Sequence, residues 1–134
     1  MTGTHLLLAV GRAPRLAGLD LVAAGIASTP RGITTDRALQ SVSNRRVWAA
    51  GDIADPQGLG PRAFTHVCSQ HAALIARSML FRLPAKLSYD ALPRVTYTDP
   101  GIAQIGPTEA ELRAAGQRDL TILRWPLAEN DRLV

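Results

Sequence analysis

The feature that most constrains the fold is the run Val47-Trp48-Ala49-Ala50-Gly51-Asp52, an apolar stretch that ends abruptly in Gly-Asp. An apolar run of this length, bounded by turn residues, reads as a buried strand. A carboxylate at the mouth of such a strand calls for a partner that donates hydrogen bonds or carries the opposite charge. A plainer reading is that Asp52 caps the following turn. A loop rich in Pro and Gly follows (Asp55 to Pro61), and then a helical pattern from Phe64 to Phe81. Val67, His71, Ile75 and Met79 recur every four residues, flanked by Cys68, Ala72 and Leu74, which makes one apolar stripe of core-facing width. The order strand, Gly-Asp loop, long helix predicts an α/β fold.

Upstream, His5 to Val10 reads as a fully buried strand that stops at Gly11-Arg12-Ala13-Pro14. Leu19 to Ala24 predicts a short helical segment with Gly25 as its left-handed cap. Gly32 to Asp36 predicts a brief edge strand, and Ser43-Asn44-Arg45-Arg46 a polar connector. Downstream, Arg82 to Pro93 reads as a linker. Beyond it come a β-branched strand (Arg94 to Thr98), a second strand (Ile102 to Ile105) and a helix opened by Thr108 and Glu111 at capping-box spacing and stopped by Gly116. Leu120 to Trp125 predicts a third strand, so the last stretch reads as the start of an antiparallel α+β unit.

Composition narrows the function classes. With 134 residues, 46% of them apolar and 19% charged, the chain suffices for one ordinary domain or pieces of two. The net charge of +4 is carried almost wholly by scattered arginines, Lys86 being the sole lysine, and aromatics are few. Nucleic-acid binding, which wants a basic stripe interleaved with stacking rings, is not expected. No stretch reaches the length of a membrane span and the N-terminus lacks the pattern of a signal peptide, so a cytoplasmic protein is expected. Cys68 is the single cysteine, which excludes an intramolecular disulfide and a multi-cysteine metal site; on the apolar helix face it reads as a buried structural thiol. His5 and His71 have no Cys or acidic neighbours at ligand spacing, so no metal site is expected.

Three stretches in order resemble the flavin-dependent pyridine nucleotide–disulfide oxidoreductases, the family of dihydrolipoamide dehydrogenase, glutathione reductase and mercuric reductase. Leu8-Ala9-Val10-Gly11-Arg12-Ala13-Pro14 looks like its strand ending in Gly-Arg-x-Pro. Val47 to Asp52 looks like its second flavin fingerprint. Pro93 to Pro100, followed by Ile102 to Gly106 and Thr108 to Glu111, looks like the start of its dimerisation domain. The resemblance covers roughly residues 4–132. It implies residues 1–15 as the end of an NAD(P)-binding domain, 16–88 as the second half of a FAD-binding, Rossmann-like domain, and 89–134 as the front of an α+β interface domain.

The resemblance also implies roles. The carboxylate at Asp52, after Gly51, would accept hydroxyl protons from the flavin ribityl chain. A backbone N–H at Thr65 would face the pyrimidine edge of the flavin, where the start of a helix favours the negative charge of the reduced form; Thr65 also reads as a simple N-cap. His66, beside it, reads as a packing or hydrogen-bonding residue at the same cofactor site. Gly11 and Arg12 match positions near the nicotinamide dinucleotide, Gly for close approach and Arg for phosphate or ribose. Glu109 and Glu111 read as a solvated helix start, and Arg124, Asn130, Asp131 and Arg132 resemble strand ends that touch a partner subunit.

Three parts of the family pattern are not among these residues: the Gly-x-Gly-x-x-Gly of the flavin diphosphate, the redox cysteine pair, and the C-terminal His-Glu pair. Gly101 stands where relatives often carry an acidic residue. The chain therefore reads as an interior fragment with no catalytic residue of its own. The parent enzyme, a homodimer, would pass electrons from NAD(P)H through FAD to a disulfide or metal-ion substrate, and the fragment's partner would be the remainder of that chain. Two alternatives stand beside this: a flavin reductase of the ferredoxin- or nitrite-reductase type, which shares the Gly-Asp fingerprint, and a non-catalytic interaction module that kept the fold.

Overall fold

A computed structural model describes residues 3–130 of the chain. It divides after Tyr89 into two compact units.

The first unit is built on a three-stranded sheet of β1 (Ser28–Thr29), β2 (Gly32–Thr35) and β3 (Ala54–Pro56). The β-branched Ile33, Thr34 and Thr35 favour the extended backbone. β2 is the central strand rather than the edge strand that its brevity suggested. It pairs antiparallel with β1 (Ser28 opposite Ile33) and parallel with β3 (Ile33 opposite Ala54, Thr35 opposite Pro56). Ile33 and Thr35 are buried accordingly. Pro56 has no N–H to give, and the ladder continues one residue on, where Gln57 donates to the Thr35 carbonyl at 2.9 Å.

The strand expected at Val47 to Ala50 is reduced to one bridge, Trp48 opposite Gln40, flanked by hydrogen bonds from Ser41 to Val47 (2.8 Å) and from Ala49 to Leu39 (3.0 Å). Gly51, at φ +69°, breaks the extended run and opens a single 3-10 turn over Gly51–Ile53. The true strand starts only past Asp52, as β3. Leu19 to Ala24 is likewise a single turn and not a helix. It is closed by Gly25 (φ +64°), with Ile26 donating to Leu21 at 2.8 Å and Gly25 to Val22 at 3.0 Å, so the expected glycine cap is present without a helix behind it.

Helix α1 spans Thr65–Met79. Val67 and His71 are fully buried, while Leu74 and Ile75 are half-buried against the core of Ile33, Leu39, Ala49, Ala54 and Leu87. The stripe fades toward the C-terminus, where Met79 is exposed. Cys68 is exposed, not buried as its neighbours implied, because it lies one position off the line of Val67 and His71.

Two expectations fail for one reason. His5 to Val10 is not a buried strand: Leu6, Leu7, Leu8 and Val10 are between 75% and 92% exposed, and the segment has no ladder partner among the described residues. A strand is stabilised by its neighbours, not by its own sequence. The stretch expected to be a linker fails in the opposite sense. Leu87 is fully buried, its N–H reaches the Arg37 carbonyl at 2.7 Å, and its carbonyl accepts from Arg37 Nε and Nη2 at 3.1 and 2.7 Å.

The second unit carries the hairpin β4 (Pro93–Thr96) and β5 (Ile102–Ile105), paired antiparallel from Pro93 opposite Ile105 to Thr96 opposite Ile102. Helix α2 (Glu109–Ala114) opens on the expected capping box: Thr108 Oγ1 accepts the Glu111 N–H at 3.2 Å and Glu111 Oε2 accepts the Thr108 N–H at 2.7 Å. The Thr108 N–H and the Thr108 hydroxyl, which donates to the same Oε2 at 2.9 Å, hold the Glu111 carboxyl below the usual carboxylate range. Leu120 to Trp125 is irregular instead of a third strand, with Leu123 and Trp125 exposed; it too lacks a ladder partner among the described residues. Arg124 and Asn130 are exposed, and Asp131 and Arg132 lie outside the described residues.

Candidate functional site

Asp52 follows the left-handed Gly51 and is thrown outward, its side chain about half exposed. Arg12, from the N-terminal segment, comes to it. Arg12 Nη2 lies 3.5 Å from Asp52 Oδ2 and donates to the Ala63 carbonyl at 2.8 Å. A hollow of about 210 Å³ opens between them, lined by Arg12, Pro14, Arg31, Asp52, Pro61 and Ala63 among others. The Arg31 guanidinium is held by Asp55 Oδ2 at 3.1 Å, and Thr29 Oγ1 donates to the same oxygen at 3.3 Å. The two carboxylates of this short segment thus differ. Asp55 is buried and satisfied within the protein. Asp52 meets one long, exposed ion pair and keeps acceptor capacity for groups in the hollow.

Ala63 leads into α1. The residue before the helix is Phe64, which has no capping side chain, and among the described residues no side chain takes up the first N–H groups of the helix. Thr65 is therefore the first helical residue and not its N-cap. Thr65 and His66 are exposed, and neither lines the hollow, which Ala63 reaches from two residues upstream. The His66 ring stacks on Phe64, with centroids 5.5 Å apart and planes 18° from parallel, in keeping with a packing role. Gly11 is exposed at φ +95° and does not line the hollow. Of the expected site residues, the structure brings Arg12 and Asp52 together around one cavity. That association was not expected, since the sequence assigned Arg12 to the nicotinamide nucleotide and Asp52 to the flavin.

Gly51 faces inward. A Cβ on it would collide with Cys68 Sγ, and its buried N–H donates to His71 Nδ1 at 3.0 Å. His71 Nε2 lies 2.9 Å from the Tyr89 hydroxyl. The Tyr89 ring carries the Arg62 guanidinium 5.2 Å from its centroid. Burial pushes the His71 pKa down from 6.5, and it pushes the Tyr89 hydroxyl up. Sequence reasoning placed His71 in the apolar stripe and set it aside as a metal ligand. The available signal was an imidazole at a fully core-facing position, which needs hydrogen-bond partners. Among the described residues no group of His, Cys, Asp or Glu could hold a metal ion, and no helix is long and apolar enough to cross a membrane.

No protein-family model matches the chain. Individual proteins do. The chain is 40% identical over 114 residues to a mercuric reductase of Streptomyces lividans, covering 84% of this chain and 23% of that protein. It is 30% identical over 128 residues to dihydrolipoyl dehydrogenase 3 of Pseudomonas aeruginosa, covering 96% of this chain and 26% of that one. The crystal structure of LpdA from Mycobacterium tuberculosis superposes with a TM-score of 0.74 at 26% identity, over 96% of this chain and 27% of LpdA. The chain spans about a quarter of the length of the relatives it matches. The fold is part of an α/β architecture of the kind LpdA has. By these identities over most of its length, the chain belongs to the pyridine nucleotide–disulfide oxidoreductase family.

Proposed function

We propose that this chain supplies part of the flavin site of an oxidoreductase that passes electrons from NAD(P)H through FAD to a disulfide or a metal ion. The observation that carries the reading is Asp52: a half-exposed carboxylate, fixed behind a glycine turn, on a hollow that runs to the residue two before an uncapped helix. The residues fit a flavin. Asp52 has acceptor capacity for vicinal hydroxyls of the ribityl chain, and the opening N–H groups of α1 at Thr65 and His66 suit the anionic edge of the ring. Bound there, FAD would supply the capacity to take a hydride and release electrons one pair at a time.

The meeting of Arg12 with Asp52 supports a revised role for the arginine. It holds the carboxylate's orientation and leaves when hydroxyl donors arrive, or turns to a ligand phosphate; in either case it acts at the flavin side. Gly11 stays a turn residue of the same segment. The names of the relatives, mercuric reductase and dihydrolipoyl dehydrogenase, favour a metal ion or a dithiol as the final acceptor or donor. The whole enzyme is read as a cytoplasmic homodimer, with the rest of its chain completing the site.

With Cys68 the only cysteine, the chain has no dithiol to receive electrons, so it is expected to be inactive in turnover and to bind FAD weakly. Disulfide reduction by the purified chain with NADH or NADPH would overturn that. The binding itself is tested by titrating FAD into isotope-labelled chain. Resonances of Gly51, Asp52 and residues 63–66 are expected to move together, and Asp52→Asn to weaken binding by about tenfold or more, the value of a charged hydrogen bond. Saturating FAD that moves none of them sinks the flavin reading.

A further inference from the structure

We propose that His71 is the positioning residue of the Gly51–Asp52 turn: a neutral imidazole whose Nδ1 accepts the Gly51 N–H and thereby fixes how Asp52 leaves the turn. The proposal deepens the flavin reading above and rests on it only for the identity of the ligand.

The geometry dictates the tautomer. Gly51 N–H points at His71 Nδ1 across 3.0 Å, and an N–H can only donate, so Nδ1 carries the lone pair. The ring proton then sits on Nε2, which donates to the Tyr89 oxygen at 2.9 Å. Both ring nitrogens are engaged and the residue is fully buried. One side chain of α1 thus ties the Gly-Asp turn to the segment that follows the helix. Gly51 is buried as well, so its N–H has no solvent to fall back on if the acceptor is lost.

The titratable and charged groups around the ring define what protonation does. Tyr89 is at Nε2, with the Arg62 cation over its ring. On the turn side stands Asp52, its carboxylate turned to Arg12, and on α1 Cys68, whose sulfur packs against Gly51. A second proton on His71 would put an N–H against the Gly51 N–H, and it would place a positive charge in a buried site. Burial disfavours that charge too, so the acceptor persists at neutral pH and fails only in acid, below 6.5. The grip of Asp52 on ligand hydroxyls is then pH-dependent through a group that touches no ligand.

The test uses the full chain with labelled imidazole and backbone nitrogens, followed by NMR from about pH 8 down to about pH 5. The expected result is the Nε2–H tautomer at neutral pH, with the Gly51 amide tracking the His71 titration at a midpoint below 6.5. His71→Asn, whose side-chain oxygen can take over the Gly51 N–H, is expected to keep that amide in place and remove its pH dependence. His71→Leu is expected to shift the amide and weaken FAD binding by about tenfold. An Nδ1–H tautomer, or a Gly51 amide indifferent to His71, overturns the proposal, and the unsubstituted chain suffices for both readings if a variant does not fold. A Gly51 amide that tracks His71 while FAD moves no resonance at any pH upholds the positioning role and rejects the flavin.

Discussion

At the scale of single residues, Gly51 shows how narrowly the turn is specified. Its φ of +69° is in the region that L side chains avoid, and the space a Cβ would need is taken by Cys68 Sγ. Gly51→Ala is therefore expected to lower stability by about 2 kcal/mol, combining left-handed strain with a steric clash. Chemical denaturation of Gly51→Ala alone and together with Cys68→Ala separates the two: the second change should recover the clash but leave the strain. If the double variant is no more stable than the single one, Cys68 is not what closes the space. His71 adds a pH term to the same turn. Its pKa is lowered by folding, so the unfolded chain binds the proton more readily. The stability it contributes is complete above 6.5 and is lost as pH falls below that value. Part of this was legible in the sequence. A carboxylate after an apolar run demanded a partner, and Gly before it suggested a turn. The contacts that make both residues necessary, Cys68 and His71, lie 17 and 20 positions away, and no local pattern encodes them.

At the scale of elements, the chain divides by whether an element is stabilised from within. Helix α1 and the capping box of α2 were legible because hydrogen bonds between near neighbours and a repeating apolar face are written locally. Strands depend on partners far along the chain. β2 was mistaken for an edge, and the runs at 5–10 and 120–125 carry strand-like sequences without a ladder among the described residues. The segment read as a linker is the clearest correction. Leu87 is a core residue beside Ile33, Leu39 and Ala54, its N–H held by the Arg37 carbonyl and its carbonyl by the Arg37 guanidinium. Leu87→Ala is expected to cost about 2–5 kcal/mol, as for other fully buried leucines. Leu83→Ala, four positions earlier and about half exposed, should stay within about 0.5 kcal/mol. Thermal or urea unfolding of the two variants checks this, and equal losses would mean that the segment is no part of the core.

At the scale of the whole chain, the apolar content does not all go inside. The first unit buries a small set around Ile33, Leu39, Ala49, Ala54 and Leu87, yet leaves Leu6 to Leu8 and Val10 in water. The second unit leaves Tyr97, Leu123 and Trp125 largely exposed. Stability should therefore be uneven along the chain rather than shared by it, since local opening costs little where few apolar groups are buried. Amide hydrogen exchange reads this directly. The slowest amides are expected in α1 and where β2 meets β3, at the Thr35-to-Gln57 hydrogen bond and its neighbours. Residues 5–10 and 120–125, whose backbone lacks ladder partners among the described residues, are expected to exchange near the rate of an unfolded chain. The same two stretches carry the strand-like sequence, so propensity and protection should point in opposite directions there. Strong protection at Leu6 to Val10 would mean that the segment has found a ladder after all, in solution and between copies of the chain. A dependence of that protection on protein concentration would identify the second strand as another copy's.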